Sequence, residues 1–523
     1  MATTIEAAPE PQADTKVWLA VIGSIIGAFI AVLNIQITNA SLPDIQGAIG
    51  AGLDDGGWIS TSYLVAEIVV IPLTGFLAPV FSLRRYLLAN TVLFLAMSVA
   101  CAFAANLQQM IVLRALQGFF GGVLIPLAFT ITLTMLPRAK QPAGMAMFAL
   151  SATFAPAIGP TIGGYLTETY GWQYIFYVNL VPGAVMLGLL IPTLPRAPMQ
   201  LGLLRQGDWP GIATLAIGLA SLQTVLEEGN KDDWFGSPFI VRLSVVAASA
   251  LSLFIWIELT AEAPLLNLRL LLRRNFGLGS IANIILGMAL YGSIFLLPSY
   301  LSQMQGYNAM QVGEVLAWTG LPQLVLIPMV PSLMRRFDAR LLVAVGLGLF
   351  AFSCFLNADI NQDYSGPQFL MPNLVRALGQ ALVMTPLAVL ATGGIERENA
   401  GSASAMFNMM RNLGGSVGIA ALETLLTRRE QFHSAVITPN VSLFNEATRQ
   451  RLDMLQRHLL SSGMADAGAA WHGAVVAIGR SIRAQSYFLA YGDTFFLMGA
   501  TLLLAIVATL LMRQTTGSGA GAH

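Results

Sequence analysis

Apolar residues in this chain gather into long unbroken runs separated by short polar or Pro/Gly-rich breaks. Fourteen such runs lie at roughly 17–42, 58–81, 86–105, 109–136, 143–166, 174–194, 209–226, 238–259, 276–301, 311–334, 341–359, 369–394, 401–426 and 488–512. A helix needs about 20 apolar residues to cross a bilayer. Only helices or closed barrels satisfy the backbone in lipid, and nothing here alternates with period two. The pattern therefore predicts fourteen transmembrane α-helices and an all-α integral membrane fold. The polar start is followed by a run too long for a signal-peptide core, so the first helix is expected to be retained.

Composition sharpens this picture. Of 523 residues, 55% are hydrophobic and 10% charged, against about 25% charged in a soluble domain. Lys+Arg and Asp+Glu both number 27, so no net basic field exists to recruit nucleic acid. With the N-terminus cytoplasmic, fifteen Lys and Arg fall in inside segments and one, Lys231, in the short outside loops. The positive-inside rule then places both termini in the cytoplasm. The segment 427–487 lies outside, and its arginines do not count because long loops translocate regardless of charge.

Dipeptide landmarks recur eight runs apart. Leu42-Pro43 matches Leu297-Pro298, Ile71-Pro72 matches Ile327-Pro328, Arg114-Ala115-Leu116 matches Arg376-Ala377-Leu378, and Met147-Phe148 matches Met406-Phe407. Their order at similar offset implies two six-helix halves with an extra pair between them. The expected organisation is a tail over 1–16, a first half over 17–194, an inserted pair over 209–259, a second half over 276–512 and a tail over 513–523. Parallel halves about an axis normal to the membrane suit a secondary transporter with a midplane site.

Candidate chemistry is sparse at membrane depth. Arg114, Gln117, Gly118, Gly121 and Ile125 share one face of the fourth run. An arginine there costs roughly 2.5–3.5 kcal/mol and must face protein or water. Two readings stay open: a cavity residue that biases a nearby carboxylate, or a structural arginine bonded to carbonyls. Glu67, in an apolar stretch of the second run, is the main proton-coupling candidate. A carboxyl group that is dry in one state and wetted in another can take up and return a proton; a structural hydrogen bond is the alternative. Asn34, Gln36 and Asn39, with Gln117, Arg376 and Arg411, are candidates for a substrate cavity. Ser151, Ala155, Gly159 and Gly163 recur every fourth residue around Pro160 and Gly164, which lets backbones approach closely. No Gly-Lys dipeptide occurs, and the four histidines lie in the outer segment or tail. A nucleotide-binding loop and an intramembrane histidine metal site are thus excluded; no cofactor is expected, and an enzyme is poorly supported.

Leu33-Asn34-Ile35-Gln36-Ile37-Thr38-Asn39-Ala40-Ser41-Leu42-Pro43, Arg114-Ala115-Leu116-Gln117-Gly118, Gly159-Pro160-Thr161-Ile162-Gly163-Gly164, Asp232-Asp233-Trp234-Phe235 and the outer Phe432-His433-Ser434 resemble the drug:proton antiporters of the major facilitator superfamily. The likeness spans nearly the whole chain and is strongest to the fourteen-helix EmrB/QacA branch. It implies the major facilitator fold and proton-coupled export of hydrophobic or amphipathic compounds from a bacterial inner membrane. It also implies a periplasmic adaptor of the EmrA kind and an outer-membrane channel of the TolC kind. The residues from Gly159 to Gly164 would be the exporters' conformational motif, and Gly75, Arg84 and Arg85 the inner gate. Two positions depart from the family. Asn34 stands where an Asp is usual, leaving Glu67 as the substitute proton carrier, and Pro79 replaces the Asp of the loop between the second and third helices. Uptake of a metabolite or siderophore by the same fold, or a sensor with an inactive transporter body, are the competing readings. Residues 443–461 are expected to form an amphipathic outer helix.

Overall fold

The computed structural model describes residues 14–52, 55–205, 207–261, 264–463 and 466–514; most of the two expected tails lies outside them. In chain order the α-helices are α1 (Thr15–Ala40), α2 (Leu42–Ile49), α3 (Trp58–Phe81), α4 (Leu83–Cys101), α5 (Leu107–Gly121), α6 (Leu124–Met135), α7 (Gln141–Tyr170), α8 (Tyr174–Tyr177) and α9 (Leu180–Thr193). They continue with α10 (Trp209–Glu228), α11 (Pro238–Thr260), α12 (Arg274–Gln305), α13 (Ala309–Met334), α14 (Ala339–Leu356), α15 (Leu370–Thr392), α16 (Ala400–Ile437), α17 (Glu446–Ser461) and α18 (Ala467–Leu510). Among the described residues thirteen helical stretches are long and apolar enough to cross a membrane, with α5/α6 and α8/α9 each counting as one. The fourteenth is α16, whose Asn408, Arg411 and Asn412 keep it below that apolarity. Helix breaks follow local chemistry: α5 gives way to α6 at Gly121-Gly122, and α2 starts afresh with Pro43 in its first turn, where proline needs no N–H partner.

Packing repeats across the chain. In the first set of helices α1 lies along α7 and α9, and α5 against α3 and α4; in the second, α12 lies along α16 and α18, and α15 against α13 and α14. The sets meet through α7 with α13 and through α3 with α16, the same pair of elements with roles exchanged. Helices α10 and α11 pack on each other, and α10 also touches α3 and α16.

Helix α7 is the hub. Along one stripe Gly159 meets the Gln36 side chain and Gly163 approaches the Ile37 carbonyl of α1. Along another, Ala157 fills the space beside Gly320, and Thr161 the space beside Gly313, both on α13. These contacts occupy the half of α7 away from the chain termini, and they close the far end of the bundle. At the terminus-bearing end Gly75 of α3 faces the backbone of Gly401 on α16.

The 427–487 segment differs from a loop. Helix α16 runs on to Ile437, α18 begins at Ala467, and α17 packs between on α18. The charged residues Arg428 to Glu430 end the hydropathic run but not the helix, because they are good helix formers in water. Asp493 fastens the base of this hairpin, accepting from Arg429 Nε and lying 2.7 Å from His433 Nε2.

Gly163→Leu should wedge α7 off α1 and cost about 1–3 kcal/mol, read as a lower melting temperature in detergent. Gly188→Leu, on an exposed face with nothing within 4 Å of the added Cβ, should leave melting unchanged.

Candidate functional site

Arg114 is buried at 1% exposure. Its Nη1 donates to Asn34 Oδ1 and to Gln117 Oε1, both at 2.7 Å, and its Nε to the Ile59 carbonyl at 3.3 Å. The Tyr63 ring lies under the guanidinium at 4.3 Å. Gln117 passes the network on to Ser98, which also accepts from Asn179. Four polar side chains on α1, α4, α5 and the α8–α9 junction, two of them in direct contact, therefore hold one guanidinium inside the first half. This close fit depends on the glycines beside it, since Gly118 abuts the Tyr63 backbone and Gly121 the Phe94 ring. Side-chain amides are its main acceptors, with a single backbone carbonyl beside them. Asn34 retains one cost: its Nδ2 is buried without a partner among the described residues.

Glu67 is also buried, at 3% exposure. Among the described residues its carboxyl makes no hydrogen bond or ion pair. Gly122 of the α5–α6 break lies so close that a Cβ there would sit 3.0 Å from the Cα and Cγ of Glu67. The charges within electrostatic reach are Arg114, in its own half, and Arg411, across the interface.

A small cavity of about 30 Å³ sits between the halves. Val32, Thr153, Pro156 and Ala157 border it on the first side, and Leu290, Tyr291, Leu316, Thr319, Arg376, Gln380, Met384 and Arg411 on the second. Arg376 directs Nε and Nη2 to Thr319 Oγ1 at 3.2 and 2.6 Å. Arg411 donates to Asn408 Oδ1 at 3.0 Å and lies over the Phe148 ring. Of the cavity candidates, the structure brings together Arg376 and Arg411. Asn34 and Gln117 belong to the Arg114 network, Gln36 packs on Gly159, and Asn39 accepts from Ser60 near the far end. Pro160 and Gly164 lie buried within α7. Thr319, Tyr291 and Gln380 were missed in the sequence. The repeat carries no signal for Gln380, which takes the place after Arg376 that Gly118 takes after Arg114.

A second, larger and more open cavity of about 590 Å³ lies at the terminus-bearing end, bordered by Gly75, Pro79, Pro126, Thr130, Asn267 and Ser402 among others. Along α16, Phe407 falls between the two cavities. It stacks with Phe129, which meets Phe148 edge-on, and Ser404 Oγ donates to the Pro126 carbonyl at 2.9 Å. An aromatic septum thus separates the chambers. Arg84 donates to the Ile191 carbonyl of α9 within its own half, Arg85 is exposed, and Gly75 lies at the contact with α16. At the far end Glu228, unremarked in the sequence, accepts from Thr61 and pairs with Lys231.

Residues 24–419 match the model of the Major Facilitator Superfamily. Over 499 residues, 95% of this chain and 96% of the relative, the chain is 30% identical to the colistin resistance protein EmrB of Acinetobacter baumannii. It is also 30% identical to the multidrug export protein EmrB of Escherichia coli K12, over 98% of each. The fold is shared with the proton:xylose symporter XylE (TM-score 0.56, 13% identity, 95% of each chain). The chain belongs to the Major Facilitator Superfamily, and is a multi-pass membrane transporter rather than an enzyme. Within the superfamily it is of the EmrB type.

Asn34→Asp should remove the orphaned amide donor and give Arg114 a charged partner. A buried unsatisfied donor costs about 1–3 kcal/mol, so the variant is expected to melt at higher temperature than the parent in the same detergent.

Proposed function

We propose that this transporter exports hydrophobic, amphipathic compounds from the cytoplasm of a bacterium in exchange for protons, with both termini on the cytoplasmic side of the inner membrane. The observation that carries the reading is Glu67: a carboxyl at membrane depth, free of any hydrogen bond or ion pair among the described residues, with one arginine of each half in reach. A carboxyl locked in a salt bridge could not titrate, and one facing lipid could not be wetted. The central cavity between the halves marks the place for cargo, and its largely apolar wall suits lipophilic molecules. Alternating opening at the α7–α13 and α3–α16 contacts would expose that cavity to one side and then the other. Relatives named for multidrug export and colistin resistance support the outward direction.

The outer hairpin supports a second element of the proposal, assembly with a periplasmic adaptor and, through it, an outer-membrane channel. Phe444 is 96% exposed, and Phe432, Val436, Leu443 and Met454 are also open on this projecting module. Such apolar side chains beyond the membrane suit a protein interface.

In everted membrane vesicles, Glu67→Gln is expected to abolish efflux driven by a pH gradient while leaving membrane insertion unchanged; parental efflux rates would clear Glu67 of the coupling role. Replacing Leu443 and Phe444 together by Ser should lower co-purification of the adaptor and leave vesicle flux intact.

A further inference from the structure

Two linkers join the inserted pair α10–α11 to the halves, and both are tied down at the terminus-bearing end. The Gln200 N–H donates to the Val80 carbonyl near the end of α3 at 2.8 Å, and Trp209 packs edge-on against Phe76 of the same helix. On the other side the Asn267 N–H donates to Ser402 Oγ at 2.9 Å, and its Nδ2 to Asn399 Oδ1 at 3.3 Å, at the start of α16. One linker thus belongs to the first half and the other to the second.

The far-end turn of the pair repeats this arrangement. Glu228, the last residue of α10, is buried and accepts from Thr61 Oγ1 of α3 at 2.9 Å, with Lys231 Nζ at 3.2 Å on its other oxygen. Trp234 reaches the second half. Its Nε1 donates to Thr424 Oγ1 of α16 at 3.0 Å, while the Thr424 hydroxyl donates back to the Ala420 carbonyl. The backbone is bent to allow this: Asp233 and Trp234 take positive φ, 53° and 49°, a left-handed region that residues with a side chain occupy at a cost and only where their surroundings hold them. The Gly229 carbonyl accepts from the Trp234 N–H at 2.7 Å, and a Cβ on Gly229 would sit 2.7 Å from the indole ring. Among the described residues no hydrogen bond runs directly from α3 to α16. The turn supplies the polar tie across that seam.

Opening the bundle toward the far side must draw the far ends of α3 and α16 apart, so one end of the tie has to break. The two ends are unequal. Glu228 accepts from a hydroxyl and a cation, and charge-assisted bonds are roughly twice as strong as neutral ones; the indole–hydroxyl bond joins two neutral groups. We propose that the inserted pair is a clasp on the far gate: it stays on the first half through Glu228, and the Trp234 indole locks onto α16 when the far end is shut and lets go when it opens. Trp234 is then a positioning residue that sets the balance between the two states, which gives the Asp232-Asp233-Trp234-Phe235 stretch a task. The inference rests on the alternating opening of the halves, and on neither the cargo nor the driving ion.

The test uses the full chain in lipid nanodiscs, spin-labelled at Thr169→Cys on α7 and Met310→Cys on α13, exposed far-end positions away from the clasp; both native cysteines are buried. Pulsed electron resonance reads the distance between the labels. Trp234→Phe, which keeps a ring and removes the N–H, is expected to raise the ratio of the long-distance to the short-distance population about threefold to tenfold, the worth of one neutral hydrogen bond. Thr424→Val, which removes the acceptor, should do the same, and the double variant no more than either. Trp256→Phe, on the exposed face of α11, should match the parent, and a retained short-distance peak shows that each variant is folded. Unchanged distances in both Trp234→Phe and Thr424→Val, or effects that simply add in the double variant, would overturn the clasp. Flux is measured separately in everted vesicles. Clasp-dependent distances without pH-driven export would keep the clasp and remove the export reading, and export with distances that ignore both substitutions would do the reverse.

Discussion

A guanidinium at membrane depth has nowhere to find acceptors except inside the protein, and three such groups govern the architecture of this bundle. Arg114 is surrounded: amides, a backbone carbonyl and an aromatic ring from three helices converge on it. The tight approach of α3, α4 and α5 follows, with glycine where α5 crosses Tyr63 and Phe94. Arg376 and Arg411 have one side-chain acceptor or so apiece and border the central cavity. The first half is thereby stiffened around its cation, and the second presents its cations to the interface.

Between the halves the chemistry is mostly shape. Small residues on α7 and α13 seal one end, and Gly75 and Gly401 meet at the other. These contacts carry few polar groups, so parting them breaks little hydrogen bonding, as alternating access requires. Ser404 donating to the Pro126 carbonyl, together with the Phe129–Phe148–Phe407 cluster, is the polar and aromatic exception.

Much of this was legible in the sequence because lipid imposes simple rules. Fourteen crossings, the small-residue stripe through Gly159 and Gly163, and the shared face of Arg114, Gln117 and Gly118 all follow from length and spacing. What escaped depends on register between distant helices. Nothing in the local sequence says that Asn34 accepts from Arg114, or that Gln36 and Asn39 point away from the central cavity. The outer helix α17 falls within the expected 443–461, whereas the extensions of its two neighbours escaped for a different reason. Hydropathy reports where a helix leaves lipid and is blind to a helix that carries on into water, so α16 and α18 overrun their apolar runs by eleven and twenty-one residues.

That overrun has a mechanical side. Helix α18 is continuous for 44 residues, about 66 Å, more than twice the thickness of the hydrocarbon core. Its base is pinned to α16 through Asp493, so the two form a stiff mast rooted in the second half. A tilt of that half by a few degrees would move the mast tip by a few ångströms, more than it moves residues near the pivot. Whatever grips the tip would sense each transport cycle as a stroke.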